Sequence, residues 1–300
     1  MGYFQIVIIN FITMIKYRIN TCDQINDELM IHFTQKCENR CFFCVDAKNQ
    51  GVCNKRPEVD KMAQQVIDLK DKINSITISG GEPLLFMDEV ILFIEKIREN
   101  APNLKINLIT SFPSICWRQQ NKLFQIIEML DSLAFSPQHY KEKIADEIRG
   151  VKSKYNHQEL YKILPHKEKM CVNINLNKPY LYLKDDVCNC IKHYNDLGFT
   201  TIRVAELFDT DDNFVSFEEI FGIKMKSPFA HGCKTNNFDI TPWIPSFKGN
   251  LIVKRVCFLV CKQKHCSFSD LVKVCTRHWF KKQFAFGVVY EDGNVYPYWR

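Results

Sequence analysis

From residue 29 to about 207 the chain alternates between short apolar stretches of strand length and longer stretches whose apolar residues recur at helical spacing. The spacing predicts strands over 29–33, 75–79, 105–110, 132–136, 171–176 and 201–205, and helices over 59–72, 88–100, 121–129, 141–148 and 185–197. Six β-α units in succession imply a parallel sheet with helical crossovers. Side chains alternate along these strands. Thr77 and Ser79 stand opposite Ile76 and Ile78, Asn173 and Asn175 opposite Val172, Ile174 and Leu176, and Thr201 and Arg203 opposite Ile202 and Val204. One face of the sheet is therefore polar. A sheet covered by helices on both faces reads apolar throughout. Composition alone leaves a doubly wound sheet and a partial barrel both open, and the polar face fits a barrel with a polar cofactor inside.

The alternation stops around 209–213, and a different region follows. It contains Cys233 and then Cys257, Cys261, Cys266 and Cys275 within a short span, and it ends in Asp292-Gly293 between alternating β-formers, a strong hairpin cue. The expected organisation is an extension over 1–28, a barrel over 29–209 and a cysteine-rich carboxyl domain over 210–300. No internal repeat or low-complexity tract interrupts it.

Three hundred residues suit one large or two modest domains, and 46% apolar with 25% charged residues excludes a generally disordered chain. Fourteen cysteines could suggest a secreted disulfide scaffold, but such scaffolds are short, and these cysteines cluster at metal-ligand spacings, so a reducing cytoplasm is expected. The apolar stretch 3–15 is too short to span a bilayer and lacks a basic leader or a small-residue cleavage site, which predicts a buried strand or helix. The net charge of +6 is uneven: residues 248–282 carry nine Lys and Arg against Asp270, or +8, leaving −2 for the rest. Such a stretch suits an anionic substrate, nucleic acid, or simply a solvated surface around a metal site.

Two short stretches carry the chemistry. Cys37, Cys41 and Cys44 form a C-x3-C-x2-C run after the first predicted strand, and Ser79-Gly80-Gly81-Glu82-Pro83 ends the second. Three thiolates on one loop can each hold one corner of a 4Fe-4S cluster, leaving one iron open. Taken alone, the same run with Cys53 as fourth ligand could hold a structural zinc, and Gly-Gly before Pro is a common turn. Their conjunction at the carboxyl ends of predicted strands, where barrels gather their chemistry, is far more specific.

The order of strand, three-cysteine loop, helix, strand and Gly-Gly-Glu-Pro, with aromatic Phe43 just before the third cysteine, resembles the radical S-adenosylmethionine (SAM) superfamily. The resemblance covers about two thirds of the chain. It implies a six-stranded partial (β/α) barrel in which Cys37, Cys41 and Cys44 bind three irons while SAM chelates the fourth. It further implies that Gly80 and Gly81 admit the methionine moiety of SAM and that Glu82 accepts a hydrogen bond from its ammonium. Ser136 and Asn173 or Asn175 occupy places where family members contact the ribose, and Arg203 could pair with the SAM carboxylate; satisfied polar residues would be the plainer role for each. His139 reads as a loop residue rather than an acid or base.

Two local likenesses bear on the substrate. The stretch from Arg203 to Leu207, followed by 214–220, is similar to the end of the barrel in the radical SAM enzyme that rearranges GTP, but this sequence lacks that enzyme's Gly-Gly tail and its second cysteine set. The run from Asp292 to Pro297 resembles the hairpin of SPASM and twitch domains of peptide-modifying radical SAM enzymes, with Tyr298 where a cysteine normally follows. An auxiliary Fe-S cluster or zinc would then fall to Cys257, Cys261, Cys266 and Cys275, with Cys233 nearby.

The expectation is a cytoplasmic, oxygen-sensitive radical SAM enzyme that cleaves SAM reductively and abstracts a hydrogen atom from a peptide or protein. Its partners would be that substrate and an electron donor such as flavodoxin or ferredoxin, with neither membrane nor nucleic acid expected. A nucleotide or other small anionic substrate is the alternative. A zinc-stabilised nucleic-acid-binding protein without catalysis is the alternative from another class; it leaves Gly-Gly-Glu-Pro and the polar sheet face without purpose.

Overall fold

The computed structural model describes residues 28–44, 56–207, 213–223, 234–255, 288–293 and 295–296. Six parallel strands form its centre: β1 (Glu28–Thr34), β2 (Ser75–Gly80), β3 (Lys105–Thr110), β4 (Ser132–Phe135), β5 (Met170–Asn175) and β6 (Thr201–Ala205). They lie side by side in sequence order. Between them run helices α1 (Val59–Leu69), α2 (Met87–Asn100), α3 (Ser114–Arg118), α4 (Gln120–Met129), α5 (Glu142–Arg149), α6 (His157–Ile163) and α7 (Lys184–Asp196). This is an open α/β sheet of partial-barrel type, as expected, and each predicted strand and helix of the barrel is present within a few residues of its expected ends.

The apolar strand face explains the packing. Ile31, Ile78, Leu108, Leu133 and Met170 fall in one register row across five strands, and each is at most 1% exposed. Helices press onto this face with side chains at 3.6-residue spacing: Val90, Phe93, Ile94 and Ile97 on α2, Leu123, Ile126 and Ile127 on α4, Val187, Cys190, Ile191 and Tyr194 on α7. Burying each large apolar side chain contributes about 1.5–3 kcal/mol. At the carboxyl end of β4, Phe135 sits among the rings of Phe112, Tyr161 and Phe199 at centroid distances of 5.2, 5.0 and 5.1 Å.

The opposite face is polar along its length. Thr77, Asn107 and Ser132 share a register row, linked by bonds from Asn107 Nδ2 to Thr77 Oγ1 (3.4 Å) and from Ser132 Oγ to Asn107 Oδ1 (2.7 Å), while Thr77 also donates to Glu28. Further round, Arg203 stands in register with Asn173. A row of hydrogen-bonding side chains across adjacent strands suits an enclosed polar interior, since buried polar groups need partners.

Elements from the carboxyl-terminal third extend both edges of the sheet. After a short helix α8 (Phe217–Phe221), strands β7 (Lys234–Phe238) and β8 (Asn250–Arg255) form an antiparallel pair, and β8 adds parallel to β6. The Asp292-Gly293 hairpin is present as β9 (Val288–Tyr290) and β10 (Val295–Tyr296), with Gly293 at a φ of 72°, and β9 adds parallel to β1. Strand order is thus β10-β9-β1-β2-β3-β4-β5-β6-β8-β7. Docking β9 stacks Tyr290 on His32 at a centroid distance of 4.7 Å and sets the Glu291 carboxylate 3.6 Å from the His32 imidazole. The stretch 3–15, Cys53, Cys233, Cys257, Cys261, Cys266 and Cys275 lie outside the described residues. Among the described residues no helix is long and apolar enough to cross a membrane.

Candidate active site

The loop after β1 and the turn after β2 are built as one unit. Gly81 N–H donates to Thr34 O at 2.6 Å and Glu82 N–H to Lys36 O at 2.8 Å, so the Gly-Gly-Glu backbone runs against the start of the cysteine loop. A Cβ at Gly80 would lie 2.6 Å from Thr34 O, and one at Gly81 would lie 2.8 Å from Gln35 and collide with Lys36 O. Gly80 also has a φ of 122°, which side chains resist. The close approach that these glycines allow in this structure is to the chain itself.

Glu82 follows, 1% exposed. One carboxylate oxygen accepts from Thr110 Oγ1 (2.6 Å) and Leu84 N (3.1 Å); the other accepts from Ser111 N (2.7 Å) and Ser111 Oγ (2.6 Å). Burial raises its pKa above the usual carboxylate value, and the bonds from Ser111, Thr110 and Leu84 pull it back down. The network continues into the cysteine loop, because Asn39 Nδ2 donates to Ser111 Oγ at 2.9 Å. Glu38 accepts from Ser114 N (2.9 Å) and Ser114 Oγ (2.8 Å), a carboxylate placed at the amino end of α3. The β1, β2 and β3 loops are therefore pinned to one another around a single buried carboxylate.

Cys37, Cys41 and Cys44 sit half-buried on that loop. Cys44 N–H donates to Cys41 O at 3.0 Å, and Arg40 Nη1 donates to Cys37 O at 3.0 Å. Burial pushes the Cys37 thiol up to about 12, with the negative charges of Glu82, Cys41 and Cys44 adding to it and the Asn39 N–H opposing. Cys41 is pushed up to about 11 by burial and by Cys44, against the pull of Arg149. Three soft sulfur donors that repel one another as thiolates suit cluster iron, whose charge removes that repulsion. Among the described residues no group of three or more His, Cys, Asp and Glu side chains is arranged to hold a metal ion.

The remaining predicted residues lie on β5 and β6 and just after β4. Ser136 N–H donates to Thr110 O at 3.0 Å, placing Ser136 next to the Glu82 network. Asn175 Nδ2 donates to Gln138 Oε1 (3.3 Å), and Arg203 Nη1 donates to Asn173 Oδ1 (3.3 Å). Arg203 Nε is buried and makes no hydrogen bond among the described residues, so a cationic donor is left on the polar face. Thr110, Ser111, Asn39 and Glu38 escape a reading by motif. The polar pair at the end of the apolar β3 is the only local signal for them.

His139 is a buried loop residue, 1% exposed, whose Nδ1 accepts from Lys141 N at 2.9 Å. Protonation would forfeit that bond, and burial, with help from the Lys141 charge, lowers its pKa to about 4. A folded pKa below the unfolded value of about 6.5 means that the unfolded chain binds the proton first. Stability from this group is thus complete above about pH 6.5 and drains away as the pH falls through about 4, by about 3 kcal/mol at most. Urea titrations between pH 7 and pH 4 should show the decline in the wild type and a shallower one in His139→Asn; equal slopes would show that His139 does not carry it.

Residues 28–158 match the family described as a 4Fe-4S single cluster domain. No curated protein matches the chain significantly. Among solved structures, Streptococcus suis SuiB bound to S-adenosylmethionine aligns over 92% of this chain and 60% of its own, at 17% identity and a TM-score of 0.58. The same protein bound to its precursor peptide SuiA aligns over 94% and 61%, at 16% identity and a TM-score of 0.61. The Escherichia coli coproporphyrinogen III oxidase HemN, a radical SAM enzyme, aligns over 69% and 52%, at 12% identity and a TM-score of 0.47. The chain spans about three fifths of the length of SuiB, and at these identities the likeness to SuiB is one of fold. What is shown is the fold that the chain shares with SuiB, together with the match of residues 28–158, less than half of the chain, to the 4Fe-4S single cluster domain family.

Proposed function

We propose that the protein is a radical SAM enzyme acting on a peptide or protein. The observation that carries this reading is the joining of the Cys37–Cys41–Cys44 loop to Gly80, Gly81 and Glu82 at the carboxyl ends of parallel strands, beside a polar interior. In it, Cys37, Cys41 and Cys44 would hold a 4Fe-4S cluster, and residues of that loop and of the strand ends would bind SAM. When bound, the cluster and SAM supply one-electron cleavage of the sulfur–C5′ bond and abstraction of a substrate hydrogen atom. The chain's own residues would bind and orient: Glu82 would take the ammonium of SAM once Thr110 or Ser111 gives up its bond, Arg203 the carboxylate, and Ser136 and Asn175 the ribose. The fold shared with SuiB, whose solved forms include one with its precursor peptide, supports a peptide as substrate.

Anaerobically reconstituted protein should, under dithionite, convert SAM to 5′-deoxyadenosine and methionine, even without substrate; chromatography measures both. A fully iron-loaded protein that forms neither would overturn the activity. Deuterated short peptides and a deuterated nucleotide, supplied in turn, test the substrate class. Deuterium appearing in 5′-deoxyadenosine marks the peptide as hydrogen donor, whereas deuterium arriving only from a labelled nucleotide would sink the peptide assignment.

A further inference from the structure

A cleft of about 280 Å³ opens beside the cysteine loop, bounded by Glu38 and Asn39 of that loop, by Arg118 at the end of α3, and by Lys152, Lys154 and Tyr155 between α5 and α6. Phe112 lines it as well, and Phe112 belongs with Phe135 and Tyr161 to the aromatic group on the helix-covered face of the sheet. The cleft therefore lies on the helical side of the loop and not over the polar interior.

Its rim is positive. Arg118, Lys152 and Lys154 are exposed, and no ion pair ties any of them down among the described residues. Arg40 is exposed too and packs against the start of the same segment: its N–H donates to Arg149 O at 2.6 Å, and a Cβ on Gly150 would lie 3.1 Å from Arg40 Cβ. The acids nearby are already engaged. Glu38 accepts from Ser114 N and Oγ, Glu142 and Asp146 pair with buried Arg149, and exposed Glu147 is matched by Lys143 one turn before it on α5. Neither 111–118 nor 150–156 contains an Asp or Glu. Counting Arg40, Arg118, Lys152 and Lys154 against Glu38 leaves +3 on one side of the loop that carries the three cysteines. A surface of unpaired like charges draws an oppositely charged partner.

We propose that this face is the docking surface for the electron donor, a small acidic protein carrying a low-potential one-electron centre. The inference rests on the function proposed above, in which the cysteine loop carries a cluster that must be reduced before SAM is cleaved. One electron passes from the donor's centre, which is oxidised, to the cluster, which is reduced. Electron transfer falls off steeply with distance, so the carrier has to come close to Cys37 and Cys41, which flank Glu38, Asn39 and Arg40 in the chain. The substrate has to reach the polar interior instead, and this cleft lies on the other side. Redox encounters are small and weak, burying less than about 1,200 Å² in total, and charge complementarity sets their rate more than apolar area does. A few unpaired cations beside the loop fit such a partner.

Calorimetry of the reconstituted full chain with an oxidised, acidic flavodoxin reads the complex directly. At low ionic strength Lys152→Glu/Lys154→Glu should bind about tenfold more weakly than wild type, and high salt should erase most of the difference. Lys105→Glu, an exposed charge change at the amino end of β3, should bind as wild type does. With reduced flavodoxin at limiting concentration, formation of 5′-deoxyadenosine should fall by the same factor in the double variant, whereas saturating dithionite, too small to need a docking surface, should drive both proteins equally. Should the double variant fail to fold, Lys152→Gln/Lys154→Gln and Arg118→Gln decide, with smaller shifts in the same direction. No flavodoxin binding by wild type, equal binding by wild type and double variant, or equal weakening in Lys105→Glu overturns the docking surface while leaving the activity in place. Loss of peptide binding in the double variant with flavodoxin binding unchanged also overturns it, and gives the face to the substrate. A fully iron-loaded wild type that does not cleave SAM under dithionite overturns the activity and this inference with it.

Discussion

Cys41→Ala protein, reconstituted anaerobically, should hold almost no iron and form no 5′-deoxyadenosine from SAM. A site-differentiated 4Fe-4S cluster has only three protein ligands, so losing one leaves two thiolates for about four irons. The fold itself should survive. The loop's main anchors are the backbone bonds of Thr34, Lys36 and Arg40 and the Asn39–Ser111 contact, none of which uses a thiol. Cys37→Ala and Cys44→Ala should behave alike. Cys188→Ala supplies the control, since that half-buried thiol lies on α7 and outside the cysteine run, and its loss should leave both iron and activity near wild-type values. Iron analysis and chromatography read the two outcomes together; full turnover in Cys41→Ala would falsify the ligand assignment.

The barrel strands and their polar face were legible because both rest on local periodicity. Alternation places Thr77, Asn173 and Arg203 on one side whatever follows, and in the structure that side carries the hydrogen-bonded row. The cysteine run and Gly80-Gly81 were legible because their spacing is short. What escaped depends on residues far apart. The bonds from Thr110 and Ser111 to Glu82 span 28 and 29 residues, and nothing in either segment alone announces them. The Asp292-Gly293 cue specifies a turn, but the partner chosen by β9 is set by the free edge of β1, a tertiary matter. Helices α3 and α6, of five and seven residues, are too short for a helical period to stand out. Arg149 looks like any basic residue in a last helical turn until its burial is known.

Glu82→Gln should weaken SAM binding about tenfold or more, since a hydrogen bond to a charged group contributes about 1.5–3 kcal/mol. The same substitution should also lower the unfolding temperature, which a purely ligand-facing residue would not do. The carboxylate has four acceptor positions, and Leu84, Thr110 and Ser111 fill them all. An amide at this position turns two donors toward a place where the Leu84 or Ser111 backbone N–H cannot rotate away. A buried donor is then left unsatisfied, at about 1–3 kcal/mol. For the ammonium of SAM to reach the carboxylate, a hydroxyl of Thr110 or Ser111 must first swing aside. Ser111→Ala therefore separates two roles. If Glu82 contacts SAM directly, the alanine frees an acceptor and affinity holds or improves. If Glu82 serves only to tie Ser111 and Asn39 to the cysteine loop, Ser111→Ala and Glu82→Gln weaken SAM together and lower iron retention. Calorimetry with iron analysis distinguishes them, and an unchanged affinity and unfolding temperature in Glu82→Gln would remove the residue from both roles.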